Sequence, residues 1–102
     1  MKDPLKMLRQ VQQMQSQMTK VQAELETETV EASAGGGAVS VVATGAQKIV
    51  SVTIDPAATS DTEMLQDLVV AAVNEAMEKS KQLGASKMQG VASGLGLPPG
   101  LL

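Results

Sequence analysis

The charged side chains are the obvious means by which this chain could engage another molecule. There are eight lysines and arginines against eleven aspartates and glutamates, a net charge of −3. Six of the cations fall in two clusters, Lys2, Lys6 and Arg9 early in the sequence and Lys79, Lys81 and Lys87 late in it; Lys20 and Lys48 lie elsewhere. Most acids (Glu24, Glu26, Glu28, Glu31, Asp55, Asp61, Glu63 and Asp67) stand between the clusters. A chain that is acidic in sum can still hold phosphates where its cations gather, because the local field follows the distribution of charge. Cations near a helix C-terminus also complement the helix dipole, and that reading serves Lys79 and Lys81. It does not serve Lys2 and Lys6, which sit where a helix begins and the dipole disfavours them.

Other chemistry is largely excluded by composition. Cysteine and histidine are both absent. The chain therefore has no disulfide framework or thiolate, and lacks the commonest metal ligand and general base. No carboxylate pair lies in an evident pocket motif, so neither catalysis nor a cofactor nor a small-molecule substrate is expected. Phe, Tyr and Trp are also missing, which disfavours recognition of single strands by base stacking. Direct reading of base edges is poorly supplied, since Arg9 is the only arginine and Asn74 the only asparagine. Gln10, Gln13 and Gln17 share a helical face that could pair with adenine or simply be solvated. No apolar run approaches the ~20 residues of a membrane span, and the N-terminus has no signal-peptide core. A soluble intracellular protein is the expectation.

The elements that must position these groups follow from periodicity. Met7, Val11, Met14, Met18, Val21 and Leu25 recur at spacings of four, three, four, three and four, an a/d seam on a helix over about 4–26. Asp3 suits its N-cap and Pro4 its first turn. Such a helix is roughly 33 Å long, whereas a strand of six or seven residues covers about 20–24 Å. The overhang points to a second copy of the chain. Methionine at positions 7, 14 and 18 reads as adaptable packing.

Alternation then marks strands over about 27–33, 38–44 and 48–54, with Val39, Val41 and Ala43 on one face and Val50, Val52 and Ile54 directed inward. Gly35-Gly36-Gly37 reads as a hairpin turn; no GK[ST] follows that would make it a phosphate loop. A second helix is expected over about 61–83, opened by the capping box Ser60–Glu63 and stopped at Gly84. Leu65, Leu68, Ala72, Ala76 and Leu83 form its stripe. Residues 85–102, rich in Gly, Ser and Pro, read as a tail whose leucines could dock against a partner. The fold class is α+β, one domain over 1–84.

VTIDP at Val52–Pro56, MLQDLVVAAVNEAMEK at Met64–Lys79 and GLGLPPG at Gly94–Gly100, taken with the Gln- and Met-rich first helix, resemble the YbaB/EbfC family of bacterial nucleoid-associated proteins. The resemblance implies a helix–three-strand–helix protomer, an intertwined tweezer-like homodimer, and binding to double-stranded DNA in the cytoplasmic nucleoid without catalysis or cofactor. Lys2, Lys6, Arg9, Lys79, Lys81 and Lys87 are then the expected DNA contacts, and the seam from Met7 to Leu25 the packing surface. The competing reading is a dimeric scaffold that binds another protein. It draws on the acidic total and the single arginine.

Overall fold

A computed structural model of the chain describes residues 3–96. Its elements are α1 (Pro4–Thr27), β1 (Thr29–Ala34), β2 (Val39–Thr44), β3 (Ile49–Ile54), a 3₁₀ turn (Pro56–Ser60) and α2 (Thr62–Gly94). The α+β order of helix, three-stranded antiparallel sheet and helix is the expected one. Asp3 caps α1 through its Oδ1, which accepts from the backbone N–H groups of Leu5 and Lys6 at 3.1 and 3.2 Å. The cap of α2 is Asp61, not Ser60: Asp61 Oδ1 accepts from Met64 N–H at 3.1 Å. The Ser60 hydroxyl instead donates to Ala57 C=O within the 3₁₀ turn.

The sheet is a meander in the order β1-β2-β3. Ala32, Val39, Val41, Ala43, Ala72 and Ala76 form the buried cluster where the first half of α2 lies over β1 and β2. Small residues let helix and sheet approach closely. Gly35, at φ +67°, belongs to the same contact: a Cβ there would stand 2.7 Å from Leu68 Cδ1. β3 departs from expectation. Val52 stands opposite Val41 and Ile54 opposite Val39, on the face that α2 covers, yet they are 42% and 37% exposed. A helix about 10 Å across shields two strands spaced by about 4.8 Å, and the third lies outside its footprint. A register shift between Val42 and Ala43 marks a bulge at Val50 in this edge strand.

The second helix also departs from expectation. α2 does not stop at Gly84 but continues to Gly94, 33 residues in all. Its second half leaves the sheet and runs antiparallel to α1, which touches the sheet only near its own C-terminal end. Gly84 lies against the end of α1, where a Cβ would stand 3.9 Å from Leu25 Cδ1 in ordinary van der Waals contact. Packing on α1 outweighs the roughly 1 kcal/mol cost of a mid-helix glycine. The sheet, α1 and α2 therefore make a body with a projecting two-helix arm, measuring 69 × 21 × 15 Å. The seam of α1 is covered from its C-terminal end by α2 of the same chain: Val21 is buried, Met14, Met18 and Leu25 are half-buried, and Met7 and Val11 are 47% exposed. The overhang thus finds its partner within the chain, and it does not by itself call for a second copy.

Arm and body meet at one joint. The Ser80 hydroxyl, fully buried, donates to Thr44 C=O at 2.7 Å and accepts from Gln47 N–H at 3.1 Å. This pins α2 to the β2–β3 turn, where Gln47 takes the left-handed φ of +63°. Gly45 N–H donates to Glu28 C=O and Ala46 N–H to Leu25 C=O, tying the same turn to the end of α1. Gly45 gives this approach its room: a Cβ would fall 2.5 Å from Leu25 Cδ2 and 3.2 Å from both Leu25 C=O and Leu83 Cδ2, so the Leu25 side chain would have to shift. Outside this contact the Lys87 ammonium bridges Glu28 and Glu24, the latter at 3.1 Å. The hydrogen bond to Glu28, then that to Glu24, raise the Lys87 pKa above 10.5.

Two predictions follow from the joint. Ser80→Ala leaves Gln47 N–H with only its shared bond to Thr44 C=O and should cost about 1–2 kcal/mol, read by urea unfolding. A loss under about 0.5 kcal/mol would mean that the buried hydroxyl does not hold the joint. Lys87→Gln should lower the melting temperature at neutral pH. Because the folded pKa is raised, the pairing acts fully below the unfolded value of 10.5 and is lost as pH climbs through the higher folded value. The gap between wild type and variant should close in melts taken at strongly alkaline pH; a gap constant with pH would point to packing instead of charge.

Candidate nucleic-acid interface

Lys6 and Arg9 lie on exposed turns of α1. With Gln13, Ser16 and Lys20 they recur at spacings of three, four, three and four, so they share one face. The seam residues Met7, Val11, Met14 and Met18 stand more than a quarter turn away on the side facing α2. The cationic face therefore looks outward along the arm. Lys20, which the sequence reading set apart from both clusters, belongs to this stripe; the same three-and-four arithmetic that exposes the apolar seam finds it. From Lys6 to Lys20 the stripe is about 21 Å long. Lys2 lies outside the described residues.

The late cluster is placed differently from expectation. Lys79 Nζ donates to Glu31 C=O at 2.8 Å and lies 3.7 Å from Glu75 Oε1, at the body. Lys87 is held between Glu24 and Glu28. Lys81 is exposed and forms no ion pair among the described residues. The two clusters do not meet at one tip. An α2 ending near Gly84 and antiparallel to α1 would bring them to one end, whereas Gly94 lies 13 residues beyond Lys81, about 20 Å further along the helix. Lys6 and Arg9 accordingly occupy the far end of the arm and Lys81 its base.

Beyond the joint the arm nevertheless carries one sign. Residues 4–23 of α1 hold Lys6, Arg9 and Lys20 and no acid, and residues 88–96 hold no charged side chain; Lys79, Lys81 and Lys87 lie at the joint or nearer the body. Residues 24–78 hold ten acids and the single cation Lys48. The fold converts a sequence pattern into a basic arm on an acidic body. Lys87 faces the last turn of α1, where its two acidic partners begin the negative region, so that cation serves the joint.

Between the two helices of the arm runs a groove of about 300 Å³, lined by Met7, Val11 and Met14 with Gln10 and Gln13 from α1 and by Gly94 and Leu95 from α2. Gln17 continues it toward Gly90 and Val91. The three glutamines of the shared face thus border the interhelical groove. Among the described residues no group of three or more metal-ligating side chains comes together, and no helix is long and apolar enough to cross a membrane.

The chain is 50% identical over 97 residues to a nucleoid-associated protein of Acetivibrio thermocellus, covering 93% of this chain and 86% of that one. It is 46% identical over 97 residues to a nucleoid-associated protein of Ruminiclostridium cellulolyticum, covering 93% and 84%. Its fold is similar to the crystal structure of the uncharacterized protein HP0035 from Helicobacter pylori, with a TM-score of 0.63 at 22% identity over 71% of this chain and 86% of that one. Residues 1–95 match the model of the YbaB/EbfC DNA-binding family. With an α+β protomer that joins a basic two-helix arm to an acidic body, the chain belongs to the YbaB/EbfC DNA-binding family.

Proposed function

We propose that this protein is a nucleoid-associated protein that holds double-stranded DNA by phosphate contacts along the outer face of its arm, with little sequence preference. The observation that carries this reading is the segregation of charge: Lys6, Arg9 and Lys20 with no acid over residues 4–23 of the arm, against ten acids over residues 24–78. Lys6, Arg9 and Lys20 form the stripe, Lys81 adds a cation at its base, and Lys2 extends the set at the N-terminus. Lys79 and Lys87, engaged by groups of the body, contribute to the field more than to contacts. A stripe of about 21 Å spans roughly six base pairs at 3.4 Å per pair along the duplex. Lysine ammonium groups on flexible stems meet phosphates as point charges and carry no base information. The names of the relatives, nucleoid-associated proteins, point to the same place of action, the nucleoid within the cytoplasm.

The functional unit in this reading is a homodimer, two arms acting as tweezers. Its support is the uncovered row on β3. Ile49, Val50, Val52 and Ile54 are 37–59% exposed on an edge strand, beside an apolar core that α2 leaves open on that side. A second copy laid against β3 removes this surface from water and blunts the edge.

Three outcomes are expected. Affinity for duplex DNA should fall with salt at a slope in log units of about −4 if four cations of one arm are engaged and about −7 if both arms are, at about 0.9 per phosphate. Lys6→Gln/Arg9→Gln/Lys20→Gln should weaken binding alike on unrelated duplexes and flatten that slope, while Lys48→Gln, on the body, should leave both unchanged. Binding by the triple variant equal to wild type would remove the arm as the interface. In sedimentation equilibrium the chain should run at twice 10.5 kDa, and Val52→Asp/Ile54→Asp should return it to a folded species of 10.5 kDa. A wild-type monomer at micromolar concentration would rule out the paired arms.

A further inference from the structure

The composition singles out one kind of covalent chemistry. Cysteine, tryptophan, tyrosine and histidine are all absent, so the thioethers of seven methionines are the side chains most open to oxidation. No thiol elsewhere in the molecule diverts an oxidant from them. Met7, Met14 and Met18 stand on the α1 seam. Met7 is 47% exposed, and Met7 and Met14 line the groove of about 300 Å³ that opens between the two helices of the arm. Hydrogen peroxide is little larger than water, and a groove of that size admits it beside both side chains. Met64 is exposed to the same 47% but stands in the first turn of α2, on the body. Met77 is packed against the core cluster.

What holds α1 at the groove decides what oxidation does there. α1 meets the sheet only near its C-terminal end, so its N-terminal half rests on α2. A free helical segment of that length is marginal in water. The apolar side chains of α1 in the groove are Met7, Val11 and Met14, with Gly94 and Leu95 across from them, so methionine supplies two of the three. Oxygen added to the sulfur turns a flexible apolar side chain into a polar one. The sulfoxide oxygen takes a donor from water or from the bordering Gln10 and Gln13 amides, and either partner draws the side chain off the apolar wall.

We propose that Met7 and Met14 form a reversible oxidation site that governs the hold of α2 on the N-terminal half of α1, with hydrogen peroxide as the oxidant. The thioether sulfur attacks one peroxide oxygen; the S–O bond forms as the O–O bond breaks. The proton left on the bound oxygen passes to the departing hydroxide, which leaves as water. Sulfur loses two electrons and peroxide gains them. Methionine sulfoxide reductases reverse the change. The effect on DNA rests on the reading of the arm as the DNA face: loosened turns no longer present Lys6 and Arg9 in line with Lys20.

The test treats the full-length protein with dilute hydrogen peroxide, follows each methionine by peptide mass spectrometry, and reads α1 by amide hydrogen exchange. Met7 and Met14 should oxidise before Met77. Amides of residues 8–14 should then exchange at least tenfold faster, and should recover after treatment with both sulfoxide reductases and a dithiol. Met7→Leu/Met14→Leu keeps apolar side chains of similar volume and should abolish the response, whereas Met64→Leu should retain it. Sulfoxide at both positions with unchanged α1 exchange would overturn the proposal, as would an equal response in the Met7→Leu/Met14→Leu variant. In parallel, peroxide should weaken duplex-DNA binding by the wild type at least fivefold and spare that variant. Faster exchange with undiminished DNA binding would uphold the oxidation site and count against the arm as the DNA face, so the two readings fail separately.

Discussion

Everything distinctive in this molecule depends on how α2 is held at its midpoint. There the helix leaves the sheet it has been covering and takes up α1 instead. A buried Ser80 hydroxyl satisfies both an acceptor and a donor on the β2–β3 turn. In the low-dielectric interior such a group must be paired, and its two bonds have direction, so they fix the turn against one face of α2. Gly45 then lets Leu25 and Leu83 close in, since a Cβ there would force the Leu25 side chain to move. A hydroxyl and a missing Cβ together set the angle at which the arm leaves the body.

Apolar burial alone would not produce this shape. The core residues are valines and alanines, with no aromatic ring to anchor a larger body. A radius of gyration of 19.2 Å exceeds the ~13 Å of a compact chain of this length. What the molecule loses in compactness it gains in separation. Cations of the arm stand apart from the acids of the body, and at physiological ionic strength charges beyond about 8 Å are largely screened from one another. A phosphate backbone laid along α1 therefore meets the arm's field and little of the body's. The net charge of −3 is thus a poor guide to what the arm attracts.

Two apolar surfaces stand open among the described residues, and they differ in kind. The row on β3 is flat, lies at a sheet edge, and exceeds what the chain's own helices can cover. The groove at the arm's end is narrow, continuous with the intrachain seam, and adjoins the point where α2 ends. Edge strands recruit other strands. The lysines at the joint illustrate the same division. Lys87 is consumed by Glu24 and Glu28, while Lys81, six residues earlier and facing outward, stays available.

Periodicity made most of the fold legible. The seam from Met7 to Leu25, the alternation in β2, the glycine turn after β1 and the Asp3 cap all follow from local sequence, because each is decided by neighbours within a turn or a hairpin. The family was equally legible, in motifs spread along the chain. Three features were settled by tertiary structure. Gly84 looks like a stop because local propensity disfavours glycine in a helix, and only α1 packed alongside holds α2 onward to Gly94. The inward residues of β3 look buried by alternation, but the width of one helix decides which strands it covers. The cationic clusters look adjacent if α2 is short; its true length parts them. In each case the deciding contact joins residues far apart in sequence, and no window along the chain contains both partners.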